Sequence, residues 1–180
     1  MFMKNLKTFP KILLFFVVLS GALWLGSYFT RLVISYQIFE GTDFTLRNYV
    51  NDQNLGGILK SFEPAIISTL VLYIIFIISY FLFIITSKIS LKENGWLFII
   101  TIIILLTLPF EIYLNLIDYK IIVLLNSANF SSKEVLELII KRFKIFSSFP
   151  VIEIFCFWAI VFLFLFQPLK VKEEKSINEN

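Results

Sequence analysis

Four long apolar stretches, separated by shorter polar segments, dominate the pattern of this 180-residue chain. The first two reach the roughly 20 residues that a membrane-spanning helix needs, and the last two reach it when Glu111 and Glu153 are included. The pattern predicts transmembrane helices near residues 11–35, 64–87, 95–119 and 147–169. We therefore expect an all-α polytopic membrane protein, with an antiparallel bundle of four helices forming one membrane domain over residues 1–180.

A fifth helical segment, near residues 132–146, has an amphipathic pattern. Ser131 and Glu134 have the spacing of a capping box, which marks a helix N-terminus. The apolar face then holds Val135, Ile139, Phe143 and Phe146, and the charged face holds Lys133, Glu137, Lys141 and Lys144. This pattern is typical of a helix that lies on the membrane surface, and a docking surface for a partner is the alternative.

The first connection between spans, near residues 32–63, carries signals for turns. The string Asn51-Asp52-Gln53-Asn54 is followed by Gly56-Gly57, and such a cluster ends a helix that continues from the first span. We expect this connection to form a short folded lid.

Composition agrees with a membrane protein. The chain is 58% hydrophobic, contains 22 phenylalanines and has a mean hydropathy of +0.87, which leaves too little polar surface for a soluble globule. Its net charge of +3 favours contact with anionic lipid headgroups, and the basic residues are too scattered for a nucleic-acid surface.

The basic residues also bear on orientation. Lys4, Lys7 and Lys11 precede an apolar run as in a signal peptide, but no small-x-small cleavage site follows, so the first span is predicted to be a retained anchor. With the N-terminus inside, eight of the 16 basic residues lie inside, which is a tie. Lys88 and Lys92 flank a very short connection and favour N-in and C-in, in a plasma membrane or bacterial inner membrane.

Missing residue types exclude several kinds of membrane enzyme. The chain has no histidine, so it has no histidine-ligated haem, no histidine zinc site and no Ser-His dyad. Its single cysteine, Cys156, lies in an apolar run and cannot form an internal redox pair. No phosphate-binding glycine loop and no acidic cluster at metal spacing is present, so we expect no catalytic residues, no cofactor and no metal.

Charged residues inside the apolar stretches are the strongest functional signal. Glu111 lies 18 positions after Glu93, and Glu153 lies 17 positions before Lys170. In antiparallel helices this places the two carboxyl groups roughly 27 and 25 Å above the same membrane face. Arg31, 20 positions above Lys11, falls at a similar depth.

The third span also has a polar stripe. Glu111, Asn115 and Asp118 follow i, i+4, i+7 spacing and therefore share one helix face. We predict one intramembrane polar cluster of Arg31, Glu111, Asn115, Asp118 and Glu153. In one interpretation Arg31 neutralises the glutamates and locks the helices together; in the other, a glutamate titrates and serves a proton, cation or amine pathway.

Two further patterns concern packing. Ala22 and Gly26 give the first span a small-xxx-small face for close helix contact, either within the bundle or with a partner. Trp24 and Trp158 lie too deep for an interfacial belt, so we expect both to pack in the interior near each other.

The absence of catalytic chemistry, the small size and the surplus apolar surface favour one function. We expect a non-catalytic accessory subunit that stabilises or assembles a larger membrane complex, with the lipid bilayer and other membrane-protein subunits as partners. The alternative is a proton- or cation-coupled transporter or channel subunit that uses Glu111 and Glu153.

Overall fold

The computed structural model describes residues 6–41, 43–128, 131–146 and 148–169. Six helices and one two-stranded hairpin follow in chain order: α1 Thr8–Gln37, β1 Phe39–Glu40, β2 Thr45–Leu46, α2 Leu55–Ser61, α3 Glu63–Ser87, α4 Gly95–Leu125, α5 Ser132–Ile145 and α6 Phe149–Phe166. The four helices α1, α2–α3 taken together, α4 and α6 are long and apolar enough to cross a membrane. They suggest a multi-pass membrane protein.

The helices occur where the apolar pattern places them, but two of them are longer than the predicted spans. α1 continues to Gln37 and α4 continues to Leu125. Pro109 lies inside α4 without ending it. At roughly 1.5 Å per residue α1 and α4 each extend about 45 Å, which exceeds the apolar thickness of a bilayer.

The most extensively packed helix pair is α1 with α3. Gly21 makes this approach possible, because a Cβ atom there would lie 3.2 Å from the Phe76 ring and 3.0 Å from the Phe157 ring. Further along, the Ser27 hydroxyl is 2.9 Å from each of the Ser68 and Thr69 hydroxyls, so hydrogen bonds also join the two helices.

A first apolar core lies between α1, α3, α4 and α6, and an aromatic cluster around Trp24 fills its centre. The ring centroids of Tyr28, Tyr73 and Phe157 lie 5.2, 5.5 and 5.6 Å from that of Trp24, distances typical of favourable ring pairs. The prediction that Trp158 packs beside Trp24 is wrong. Trp158 is 56% exposed, and its chain neighbour Phe157 takes the interior position because successive residues of a helix point about 100° apart.

A second apolar core surrounds the beginning of α3 and the end of α4 and is covered by the hairpin, α2 and α5. Val135, Ile139 and Phe143 of α5 are buried in it, while Lys141 and Lys144 are exposed. The apolar face of α5 therefore packs against the protein. At its start, the Glu134 backbone N–H donates to Ser131 Oγ at 3.5 Å.

The lid predicted for the first connection is this hairpin together with α2. The Asn51 side chain accepts hydrogen bonds from the backbone N–H groups of Gln53 and Asn54, as the turn cluster suggests. Gly56 and Gly57, which were expected to end a helix, lie inside α2 instead.

One end of the structure gathers the start of α1, the α3–α4 connection and the end of α6. Leu6 belongs to the same apolar cluster as Phe83 and Trp96, and the Gly95 backbone N–H donates to the Leu169 carbonyl at 3.3 Å. The hairpin, α2 and α5 lie at the opposite end. We call that end the cap.

Candidate functional site: a buried ionic layer

An ion triad of two arginines and one aspartate lies between the two apolar cores. Arg31 of α1 donates through Nη1 to Asp118 Oδ2 of α4 at 2.6 Å, and its Nη2 donates to the second oxygen, so the contact is bidentate. Arg142 of α5 lies with its Nε 2.8 Å from Asp118 Oδ1. All three side chains are buried, and Asp118 is fully so. Such charge-assisted forks are among the strong polar contacts in proteins.

Arg142 reaches the triad because it lies on the buried stripe of α5. It follows Val135 and Ile139 at i+7 and i+3, on the face that enters the second core. Burial acts to lower the pKa of Arg142, but the adjacent Asp118 carboxylate outweighs this and raises it, so the guanidinium remains charged. Its Cζ atom also lies 5.9 Å from the centroid of the Tyr28 ring.

A carboxyl pair lies next to the triad. Glu111 of α4 and Glu153 of α6 are 1% and 3% exposed and lie within hydrogen-bonding reach of each other. The Tyr28 hydroxyl faces both carboxyl groups, and Tyr73 of α3 interacts with both. Arg142 interacts with both glutamates as well, and it therefore links the pair to the triad.

The triad, the carboxyl pair and the two tyrosines together form what we call the ionic layer. Several polar atoms of this layer have no hydrogen-bond partner among the residues that the structure describes. They are Tyr28 Oη, Tyr73 Oη, Glu111 Oε1, Glu153 Oε2 and the Nε and Nη2 atoms of Arg142. The Arg142–Asp118 contact is thus an ion pair by distance without the alignment of a hydrogen bond. Buried polar atoms without partners are costly, so this layer is incomplete as protein atoms alone.

The space around the layer is small. A cavity of about 10 Å³ borders Tyr28, Arg31 and Arg142, and one of about 20 Å³ borders Tyr73, Glu153 and Cys156. A cavity needs roughly 10–15 Å³ to hold one water molecule. Each cavity therefore has room for a single water and not for a continuous water-filled passage.

The predicted cluster residues occupy this layer with different partners from those expected. Arg31 pairs with Asp118 rather than with either glutamate, and Arg142 takes the position next to the glutamates. Asn115 is half-buried between Glu111 and Asp118 on α4, and it makes no side-chain hydrogen bond with the part of the chain that the structure describes.

The small-residue face predicted on α1 is not used for packing inside the chain. Ala22 and Gly26 are exposed, and a Cβ atom added at Gly26 would meet nothing within 4 Å. Gly21, one position before Ala22, makes the close contact instead.

Three members of the layer were missed in the sequence. Arg142 could have been found as a charged residue on the apolar stripe of an amphipathic helix. Tyr28 lies one turn before Arg31 on the same face of α1, which is a usable signal once Arg31 is chosen. Tyr73 has no comparable signal, because nothing in the α3 sequence marks it among other aromatic residues.

No protein-family model matches the chain, and neither curated proteins nor solved structures show a match. The described residues contain no group of three or more acidic, histidine or cysteine side chains that could hold a metal ion. The charged groups of the layer are two guanidinium groups and three carboxyl groups, all of them buried.

Proposed function

We propose that the chain is a non-catalytic accessory subunit of a multi-pass membrane complex. Four helices cross the lipid bilayer as an antiparallel bundle, and the cap lies on the outer side of a plasma membrane or bacterial inner membrane. The ionic layer fixes the order of the helices, and the exposed apolar surface of α1 and α6 receives a helix of another membrane-protein subunit.

The observation that carries this proposal is an open apolar cleft of about 270 Å³. Its walls come from α1 and α6 on the outside and from α3 and α4 behind them. Ala22 lies in the wall, so the unused small-residue face opens into this space. Small residues let a partner backbone approach closely in a membrane, where close packing is the main source of helix association.

The surface of α6 supports the same conclusion. Only Pro150, Glu153 and Phe157 are buried along its whole length. The remainder presents a broad apolar surface with aromatic side chains: Val151, Ile152, Phe155, Trp158, Phe162, Leu165 and Phe166 are all more than half exposed. Exposed apolar surface of this extent is covered by lipid or by a partner helix.

We expect the native protein, purified by an affinity tag from its own cells, to carry a partner subunit at a fixed stoichiometry. The variant Ala22→Trp fills the cleft and should lower the partner-to-bait ratio at least tenfold, because the partner backbone can no longer approach α1. Quantitative mass spectrometry of the purified complex measures this ratio.

The matched control is Ile78→Trp, which places the same ring on an exposed position of α3 away from the cleft. It should leave the partner ratio unchanged. Equal ratios for wild type and Ala22→Trp, with both proteins folded, would contradict the cleft as the assembly surface.

The carboxyl pair favours a second candidate function, a proton- or cation-coupled transporter subunit. Its support is the burial of Glu111 and Glu153 side by side. Purified protein in vesicles with an imposed proton or sodium gradient would reveal such transport as a flux that Glu153→Gln abolishes. The accessory role predicts no flux above that of empty vesicles.

The proposed topology has both ends of the chain inside. The start of α1 and the end of α6 share one end of the structure, as an even number of crossings requires. We expect reporter fusions at Asn180 and near Asn129, two positions outside the described residues, to report opposite sides of the membrane. The same side for both would contradict four crossings.

A further inference from the structure

The contact between Glu111 and Glu153 requires a proton. Two ionised carboxylates only accept hydrogen bonds, so neither could donate to the other. Their mutual repulsion would also be severe in a site that is almost closed to water. Carboxyl groups within hydrogen-bonding reach are therefore expected to hold one proton between them, as a coupled pair.

The charge balance of the whole layer also requires one bound proton. The groups that interact with the pair are Tyr28 of α1, Tyr73 of α3 and Arg142 of α5. Arg142 also joins the pair to Asp118 of α4, which Arg31 of α1 binds. Two arginines thus balance three carboxyl groups. Full ionisation would leave one uncompensated negative charge, and a single bound proton makes the layer neutral.

Oxygen atoms without hydrogen-bond partners surround the carboxyl pair, and this is where a ligand would bind. Tyr28 Oη, Tyr73 Oη, Glu111 Oε1 and Glu153 Oε2 are buried without hydrogen-bond partners among the described residues and belong to the same site. A metal cation among them would need several more oxygen ligands and would separate the carboxyl groups. A proton needs no additional space.

We propose that Glu111 and Glu153 form a single-proton binding site that closes the charge balance of the buried layer. The ligand is one proton, held between Glu111 of α4 and Glu153 of α6, with the Tyr28 and Tyr73 hydroxyls beside the pair. The site is a property of this chain and does not depend on a partner subunit. It holds whether or not the accessory function is correct.

The direct test is infrared spectroscopy of the purified full-length protein at neutral pH. The wild type should show the C=O stretch of a protonated carboxyl group, identified by its shift in deuterated water. Glu111→Gln and Glu153→Gln should each abolish this band, because the new amide supplies the neutral partner and the remaining glutamate becomes ionised opposite Arg142. The exposed Glu137→Gln on α5 is the matched control and should retain the band.

Thermal unfolding provides a second measurement on the same proteins. Each single glutamine variant keeps the layer neutral and should unfold near the wild-type midpoint. The double variant Glu111→Gln/Glu153→Gln leaves one positive charge in excess, so its midpoint should fall by several degrees, which is more than the two single effects added together.

Three results of the infrared experiment would overturn the proposal. They are a wild type without the band, a band that survives in both single variants, and a band that appears only after sodium is replaced by a bulky organic cation. The last result would identify a sodium site in place of the proton. A double variant as stable as the single variants would likewise contradict the charge balance.

Discussion

Asp118→Asn should be among the most destabilising single substitutions in the chain. The asparagine keeps the shape of the side chain but leaves the buried Arg31 and Arg142 without their shared counter-charge. Removing one partner of a buried ion pair costs about 3–5 kcal/mol. Glu111 lies two helical turns from Asp118, roughly 10 Å along α4, and cannot replace the bidentate contact with Arg31.

The measurement is reversible unfolding of the purified protein in mixed micelles, followed by circular dichroism. Asp52→Asn provides the matched control, because it makes the same chemical change on an exposed side chain of the first connection. It should change the free energy of unfolding by less than about 0.5 kcal/mol. Equal stability of the two variants would show that the triad does not hold the helices together.

The positions of the long helices could be predicted from the sequence because apolar length alone determines them. Uncharged runs of about 20 residues are rare outside membrane segments, so such a run can be assigned to a spanning helix. The structure has α3 within one residue of the predicted range 64–87 at each end. The ends of α1 and α4 could not be predicted in the same way. Both continue toward the cap, where Ile38, just after α1, and one face of α4, with Ile117, Ile121 and Leu125, enter the second apolar core.

The depth of some members of the ionic layer could be predicted from the sequence, but their pairing could not. Counting residues from a charged flank gives the height of a side chain along a helix, and it brought Arg31, Glu111 and Glu153 to similar levels. It does not give the direction in which each side chain points around the bundle. Arg31 turns toward Asp118 as a result, and the glutamates meet each other beside Tyr28.

Arg142 illustrates a different limit. It follows Asp118 by 24 positions, and its contact with Asp118 exists only because the chain reverses after α4 and packs α5 against that helix. The amphipathic pattern located the buried face of α5 but did not distinguish protein from lipid as its neighbour. An arginine on that face is itself a sign of a protein neighbour, since it needs a buried counter-charge.

The variant Arg142→Met should destabilise the protein by about 3 kcal/mol at neutral pH, because it removes a charge from the buried layer. Methionine keeps an unbranched apolar side chain against the Tyr28 ring. The matched control is Lys141→Met, which makes the equivalent change on the neighbouring exposed position of α5 and should leave stability nearly unchanged. Unfolding in mixed micelles over a series of pH values measures both variants.

The pH dependence distinguishes Arg142→Met from Asp118→Asn. Without Arg142 the layer carries one negative charge in excess, and a second proton on the Glu111–Glu153 pair restores neutrality. The folded variant then binds more protons than the unfolded chain, so its stability rises as the pH falls. Without Asp118 the excess is positive, and release of the shared proton restores neutrality. The folded and unfolded chains then bind equally few protons at neutral pH, so the stability should be nearly independent of pH there. Parallel pH profiles for the two variants would contradict a layer whose charge balance is set by one exchangeable proton.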